Sequence, residues 1–250
     1  MDFYCKQFSL NHGKSSMKVG TDAIVLSAVT ANFFMHKSDK EKIMNILDAG
    51  TGSGIIALCM AQVFNNSKVH AIDIDKASYE QARDNFLCNK FSERMSAENV
   101  SLQNHSLDNN KKYDLIISNP PFFSSSLHSD NIRRNMARHD DNLILDDFVV
   151  AVKRLAVRDA YVCVILPCDR MKDLRNKFIS QDIFPVLGVD VRSNDASDVK
   201  RQVCIFRHYA DNILSSEDFV SEDLVIRDKN GKYTEDYLRI TSLFLLHSAK

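Results

Sequence analysis

The chain has 250 residues, 44% of them hydrophobic, and a formal net charge of −1. That length allows one continuous core burying about 70–75% of the surface an unfolded chain exposes. The balanced charge excludes nucleic-acid binding driven by bulk electrostatics and leaves only local basic faces for that purpose. Six cysteines without a CxxC unit and eight histidines without HExxH spacing argue against a disulfide scaffold or a zinc motif. Apolar runs such as 24–34 are too short or interrupted to span a bilayer. The opening MDFYCKQFSLNHGKSSMK has no apolar h-region before a small-residue cleavage site. A cytoplasmic protein without membrane attachment, metal or obligate protein partner is expected.

In chain order, Asp22 to Phe34 predicts a helix, with Asp22 placed to cap its first amides. The run Ile43-Met44-Asn45-Ile46-Leu47 reads as a strand buried on both faces, ending at Asp48. Ile55 to Phe64 follows as a helix, and Val69 to Asp73 as the second strand. Asp75 caps a helix over 76–89, whose apolar stripe is Ala77, Tyr79, Ala82 and Phe86. Val100 to Leu102 is a short third strand and Tyr113 to Ser118 a fourth. Past a polar stretch from Ser124 to Asp141, Leu145 to Leu155 forms a helix and Tyr161 to Leu166 a fifth strand, stopped by Pro167. Met171 to Ser180 returns as a helix, Val186 to Val191 and Val203 to Phe206 are two close strands, and a last helix covers Glu235 to His247. This alternation predicts an α/β fold: a doubly wound, mainly parallel seven-stranded sheet with a late antiparallel strand. A single domain over 1–250 is expected, with 1–40 as an extension. Such sheets bind ligands at the carboxyl ends of their strands, which directs attention to Asp48, Asp73 and Asn119.

Asp48-Ala49-Gly50-Thr51-Gly52-Ser53-Gly54 leaves a buried strand and opens a helix. The glycines permit a tight turn and close approach of a ligand to the main chain. Their GxGxG spacing, with no GK[ST] after it, fits neither the dinucleotide fingerprint nor a P-loop. An aspartate at the strand end repels a pyrophosphate and suits a zwitterion carrying an ammonium group, directly or through water. Asp73 ends the next strand, where its two oxygens can accept from both hydroxyls of a ribose, and Ile74 beside it can cover an adenine face.

The fourth strand delivers Asn119-Pro120-Pro121-Phe122 to the same edge. Two prolines cannot continue a ladder but make a stiff shelf. The Asn119 side-chain oxygen and the Pro120 carbonyl can hold both N–H groups of an exocyclic amine out of plane, aim its lone pair at a methyl group and stabilise the charge developing on nitrogen. Phe122 can stack on the target ring.

This order of motifs resembles class I methyltransferases, in the amino-methylating branch with an (N/D)PP(Y/F) motif. It is similar over almost the whole chain to the bacterial tRNA1(Val) adenine-37 N6-methyltransferase family, through FYCKQFSLNHGKSSMKVGTDAIVLSA, ILDAGTGSGIIAL, AIDID, YDLIISNPPFF and GKYTEDYLRITSLFLL. The resemblance implies a class I methyltransferase fold, S-adenosylmethionine as donor and adenine N6 in tRNA as acceptor. It makes Lys18-Val19-Gly20-Thr21-Asp22 a motif that helps close the donor pocket. Asp48, Gly50, Gly52 and Gly54 line the donor's methionine part and Asp73 its ribose, while Asn119, Pro120 and Phe122 form the catalytic group. Where the family carries an acidic residue toward the donor adenine, this chain has Ser106. The stretch Arg133 to His139 falls in the family's substrate loop, with Arg133, Arg134 and especially Arg138 as RNA contacts.

From the residues themselves, that stretch is an acid-poor loop whose arginines suit phosphate or a flipped base. Lys6 with Tyr4 and Phe8 reads either as a second RNA-facing patch or, for the aromatics, as core packing. An unpaired anticodon-loop base costs less to extract than a base in a duplex, which favours tRNA. The alternatives are a protein glutamine N5-methyltransferase and a catalytically silent nucleotide-binding module of the same fold.

Overall fold

Successive apolar residues in the middle of the sheet point opposite ways: Ile46 lies in one hydrophobic cluster, Leu47 and Ala49 in another. Leu115 and Ile117 likewise face the first cluster and Ile116 the second. Side chains alternate across a strand, so a segment covered on both faces is apolar throughout. The computed structural model describes residues 2–15, 18–35, 37–108, 110–120, 145–209 and 219–246.

The strands are β1 (Asp2–Tyr4), β2 (Ser9–Asn11), β3 (Asn45–Ala49), β4 (Lys68–Asp73), β5 (Met95–Asn99), β6 (Tyr113–Ser118), β7 (Ala156–Leu166), β8 (Ile183–Asn194), β9 (Arg201–His208) and β10 (Val220–Arg227). The helices are α1 (Thr21–Met35), α2 (Ile55–Val63), α3 (Lys76–Leu87), α4 (Leu102–His105), α5 (145–155), α6 (Cys168–Ile179) and α7 (Glu235–Thr241). Among the described residues the main sheet has eight strands in the order β10-β8-β9-β7-β6-β3-β4-β5, and β1 and β2 form a separate antiparallel pair. β9 runs antiparallel to both β7 and β8, while the other pairs are parallel. The clusters place α1, α2, α3 and α7 on one face and α5 and α6 on the other. All nine residues of α2 are buried, which explains a helix with no polar side.

The expected mainly parallel sheet with one late antiparallel strand is present, but with eight strands rather than seven. The third strand is β5, MSAEN, and not Val100 to Leu102; there Ser101 instead caps α4, accepting from the Asn104 amide at 3.2 Å. β10 was not expected at all. Both strands lie at sheet edges, where exposure permits polar sequence and removes the apolar signal. Asp22 sits inside the first turn of α1 rather than at its cap, and accepts from Arg201 Nε at 3.1 Å. The last helix ends at Thr241, with Thr234 as its cap.

Segments distant in sequence meet on the α1/α2 face. The Lys6 amide donates to the Phe244 carbonyl at 2.8 Å, and Gln62 Nε2 donates to the Leu243 carbonyl at 2.9 Å. Phe8 is buried, edge-on to Phe91 with ring centroids 6.4 Å apart. It is a core residue, which removes it from the RNA-facing patch, while Tyr4 and Lys6 remain exposed.

Candidate active site

β3, β4 and β6 lie side by side and end together. Asp48 is in register with Ala71 on one side and Ile117 on the other. From β3 the chain steps outward through β4 and β5, then returns to place β6 on the opposite side of β3. The gap between β3 and β6 is therefore the topological switch point, where open α/β sheets leave a crevice. Asn119 and Pro120, both half-buried, leave β6 at this point. Ser118 Oγ donates to the Ala49 carbonyl at 2.7 Å, fixing the start of the Asn-Pro shelf to the start of the glycine turn. Pro121, Phe122, Arg133, Arg134 and Arg138 lie outside the described residues.

The turn is bound to β4 as well. Gly50 and Thr51 donate their amides to the Ile72 carbonyl at 2.9 and 3.0 Å. The Gly52 amide donates to Asp73 Oδ2 at 2.8 Å, and Asp73 Oδ1 accepts from the Asp75 amide at 2.9 Å. Each oxygen keeps a lone pair for a diol. Gly50, Gly52 and Gly54 have φ of 77°, 57° and 86°, a region that L side chains rarely enter. A Cβ on Gly50 meets open space, whereas one on Gly54 meets Phe86 Cε1 at 2.6 Å. Gly50 thus borders open space, and Gly54 is glycine because α3 packs against it.

Asp48 is wholly buried. Its Oδ2 accepts from Thr51 Oγ1 at 2.6 Å and from the Ala57 amide at 3.0 Å, while Oδ1 is buried without a partner. The carboxylate is first a brace, tying β3 to the turn and to the start of α2. Burial pushes its pKa up to about 7 against the hydrogen bonds from Thr51 and Ala57. The folded state therefore binds this proton more tightly than the unfolded chain. The sign follows: between about pH 4 and pH 7 Asp48 makes stability fall as pH rises. Asp48→Asn cannot ionise, so its melting temperature should gain on the wild type as pH is raised to about 8, with the smallest gain at or below about pH 4. Parallel pH profiles for the two proteins would remove the buried ionisation.

α3 contributes something the sequence reading missed. Its buried residues are Ser78, Gln81, Ala82, Asn85 and Phe86, whereas Ala77 is exposed. The helical spacing is preserved but three of the five buried residues are polar, because the stripe faces backbone. Asn85 Oδ1 accepts from the Asn11 amide at 2.9 Å, and its Nδ2 donates to the carbonyls of Asn11 and Ser53 at 2.7 and 2.8 Å. The Lys14 amide donates to Gln81 Oε1 at 3.1 Å, and the Val19 amide to His12 Nδ1 at 3.0 Å. These bonds lay residues 11–15 and 18–19 beside the glycine turn, with Ser15 Oγ 3.5 Å from where a Gly52 Cβ would lie. Lys18, Gly20 and Thr21 are exposed next to this segment. Asn85→Ala strands the Asn11 amide and the Ser53 carbonyl. It should cost about 1–3 kcal/mol in urea unfolding and speed hydrogen exchange at the Asn11 amide; unchanged exchange would dismiss the clamp.

At the far corner, Ile74 is 75% exposed beyond Asp73, and Asn99 Nδ2 holds its carbonyl at 3.0 Å. Exposed apolar surface there suits a flat ring. Ser106 is buried, with its hydroxyl donating to the Gln103 carbonyl at 2.6 Å inside the α4 turn.

Comparison with known proteins agrees with this geometry. The methyltransferase small domain family model matches residues 27–155. A tRNA1(Val) (adenine(37)-N6)-methyltransferase of Parabacteroides distasonis is 38% identical over 244 residues, covering 98% of this chain and 97% of that protein. One from Porphyromonas gingivalis is 33% identical over 245 residues, covering 97% and 94%. The solved structure of a predicted O-methyltransferase from Agrobacterium tumefaciens aligns with a TM-score of 0.64 at 12% identity, over 89% of this chain and 96% of that one, and attests the shared fold. The chain belongs to the methyltransferase small domain family and to the family of bacterial tRNA1(Val) (adenine(37)-N6)-methyltransferases.

Proposed function

We propose that this chain transfers a methyl group from S-adenosylmethionine to the exocyclic N6 of adenine 37 in tRNA1(Val). The observation that carries the reading is the Asn119-Pro120 shelf fixed by Ser118 to the glycine turn at the switch point. The residues present fit the donor. Gly50 leaves room for close approach to the main chain, the buried Asp48 Oδ1 lacks a partner for positive charge, Asp73 keeps lone pairs for a ribose, and Ile74 offers an apolar face. The donor, when bound, supplies an electrophilic methyl on a sulfonium sulfur. Asn119 Oδ1 and the Pro120 carbonyl accept from the two N–H groups of the amine and keep its lone pair directed across the crevice. They also stabilise the positive charge that grows on nitrogen, an interaction strongest in the transition state. No strong base is required, because the nitrogen's proton becomes acidic as the methyl arrives. Phe122 is assigned to stacking on the adenine, by its place after the shelf.

In this reading residues 1–250 form one methyltransferase domain, with 1–40 closing over the donor through the Asn85 and Gln81 bonds. Lys18, Gly20 and Thr21 contribute to that closure, as does Asp22, braced by Arg201. Ser106 serves the donor-adenine corner through its remaining lone pair. Lys6, Arg133, Arg134 and Arg138 contact the tRNA. Among the described residues no helix is long and apolar enough to cross a membrane, and a cytoplasmic site of action follows from the substrate.

The test is incubation with methyl-labelled donor and total RNA from cells lacking the enzyme, followed by nucleoside analysis. Label is expected in N6-methyladenosine of tRNA1(Val). Label confined to protein glutamine, or none in any acceptor, would overturn the assignment.

A further inference from the structure

Sequence spacing hides one cluster that the sheet assembles. His70 on β4, Glu98 on β5 and His105 at the end of α4 bring one ligand atom each within 4.8 Å of one another. Glu98 Oε2 lies 3.2 Å from His70 Nε2 and 3.3 Å from His105 Nδ1. Two ligands of a tetrahedral zinc ion, each about 2.0–2.1 Å from the metal, are about 3.3–3.4 Å apart. We propose that His70, Glu98 and His105 form a binding site for a divalent transition-metal ion of the zinc class, outside the methyl-transfer crevice, which ties α4 to the edge of the sheet.

Two further observations support it. The other nitrogen of each imidazole is already held by a hydroxyl: His70 Nδ1 lies 2.7 Å from Ser96 Oγ, and His105 Nε2 lies 2.8 Å from Tyr113 Oη. Outer partners of this kind fix the tautomer and aim of metal-binding imidazoles, leaving His70 Nε2 and His105 Nδ1 on the side of Glu98 Oε2. His105 Nδ1 is buried and makes no hydrogen bond, its side chain being 0% exposed.

Lys111 supplies the positive charge in the metal-free state, its Nζ lying 2.8 Å from the same Glu98 oxygen. Its side chain is one-third exposed, and Asp108 Oδ2, 4.0 Å away, offers it another partner. Displacing it opens the solvent side of Glu98, which is 40% exposed, to a water as fourth ligand. The lysine therefore competes with the metal.

The experiment titrates the purified full chain with zinc chloride against a chromogenic chelator, and with cobalt(II) to read the visible absorption of a four-coordinate site. One ion per chain is expected, with a higher melting temperature when it is bound. His70→Gln and Glu98→Gln should abolish that binding, and Ser96→Ala should weaken it roughly 10–100-fold. Lys111→Met should tighten it several-fold, an effect that a purely structural ion pair does not produce. Binding that persists unchanged in His70→Gln and Glu98→Gln, or absence of binding by both the wild type and Lys111→Met, would overturn the proposal.

Discussion

Asn119→Ala is expected to lower turnover by at least about 10²–10³-fold, the scale seen when one positioned partner of a transition-state charge is removed, while donor affinity stays near that of the wild type. The amine is a poor nucleophile until its lone pair is turned out of conjugation. In the proposed role Asn119 contributes to that only as nitrogen begins to carry charge, so its loss should fall on the rate and not on ground-state binding of the donor. Single-turnover kinetics on tRNA, with calorimetric binding of S-adenosylmethionine in parallel, separates the two. Asn119→Asp keeps an oxygen acceptor at the same place and should retain part of the activity. Near-normal turnover by the alanine variant would end the amine-directing role, and a proportional loss of donor binding would make Asn119 a pocket residue.

Gly54→Ala should be the most damaging small substitution for stability. Its Cβ would lie 2.6 Å from Phe86 Cε1 in a backbone with φ of 86°. Left-handed geometry costs an L residue about 1–2 kcal/mol, and overpacking about 1–3 kcal/mol. Together these predict roughly 5–15 °C off the melting temperature of a chain this long. Gly50→Ala has the same backbone cost but meets nothing within 4 Å, so it should lose less stability and more donor affinity. The pair can be read by calorimetry. Shortening Phe86 to leucine in the Gly54→Ala background should restore part of the loss, and no restoration would mean that Phe86 is not the obstacle.

The centre of the molecule was legible in the sequence because burial on both faces leaves uninterrupted apolar runs, and because left-handed turns demand glycine. Ile46-Leu47, Leu115-Ile116-Ile117 and the Gly50-Gly52-Gly54 turn all follow from those two constraints. The sheet's margins were not. β5 and β10 pair along one side only, so MSAEN and VSEDLVIR carry polar residues that conceal strands. The α3 stripe was misread for a related reason. Asn85 and Gln81 are buried because they serve backbone amides and carbonyls of the 11–14 segment, and hydropathy assigns such residues to solvent. Asp48 was legible as the end of a buried strand but not as a brace: its bond to the Ala57 amide depends on how α2 leaves the turn. The His70, Glu98 and His105 cluster has no sequence signature, since strand register and a four-residue helix bring its members together.

The bonds from Lys6 to Phe244 and from Gln62 to Leu243 bear on the order of synthesis. The stretch around Lys6 leads directly into the segment assigned to donor closure, yet its anchor Phe244 is translated after every strand of the main sheet. A nascent polypeptide still lacking residues 243–244 can have its central strands in place without this latch. Methylation competence then waits for residues 243–244, and a product terminated before them would compete little for its RNA.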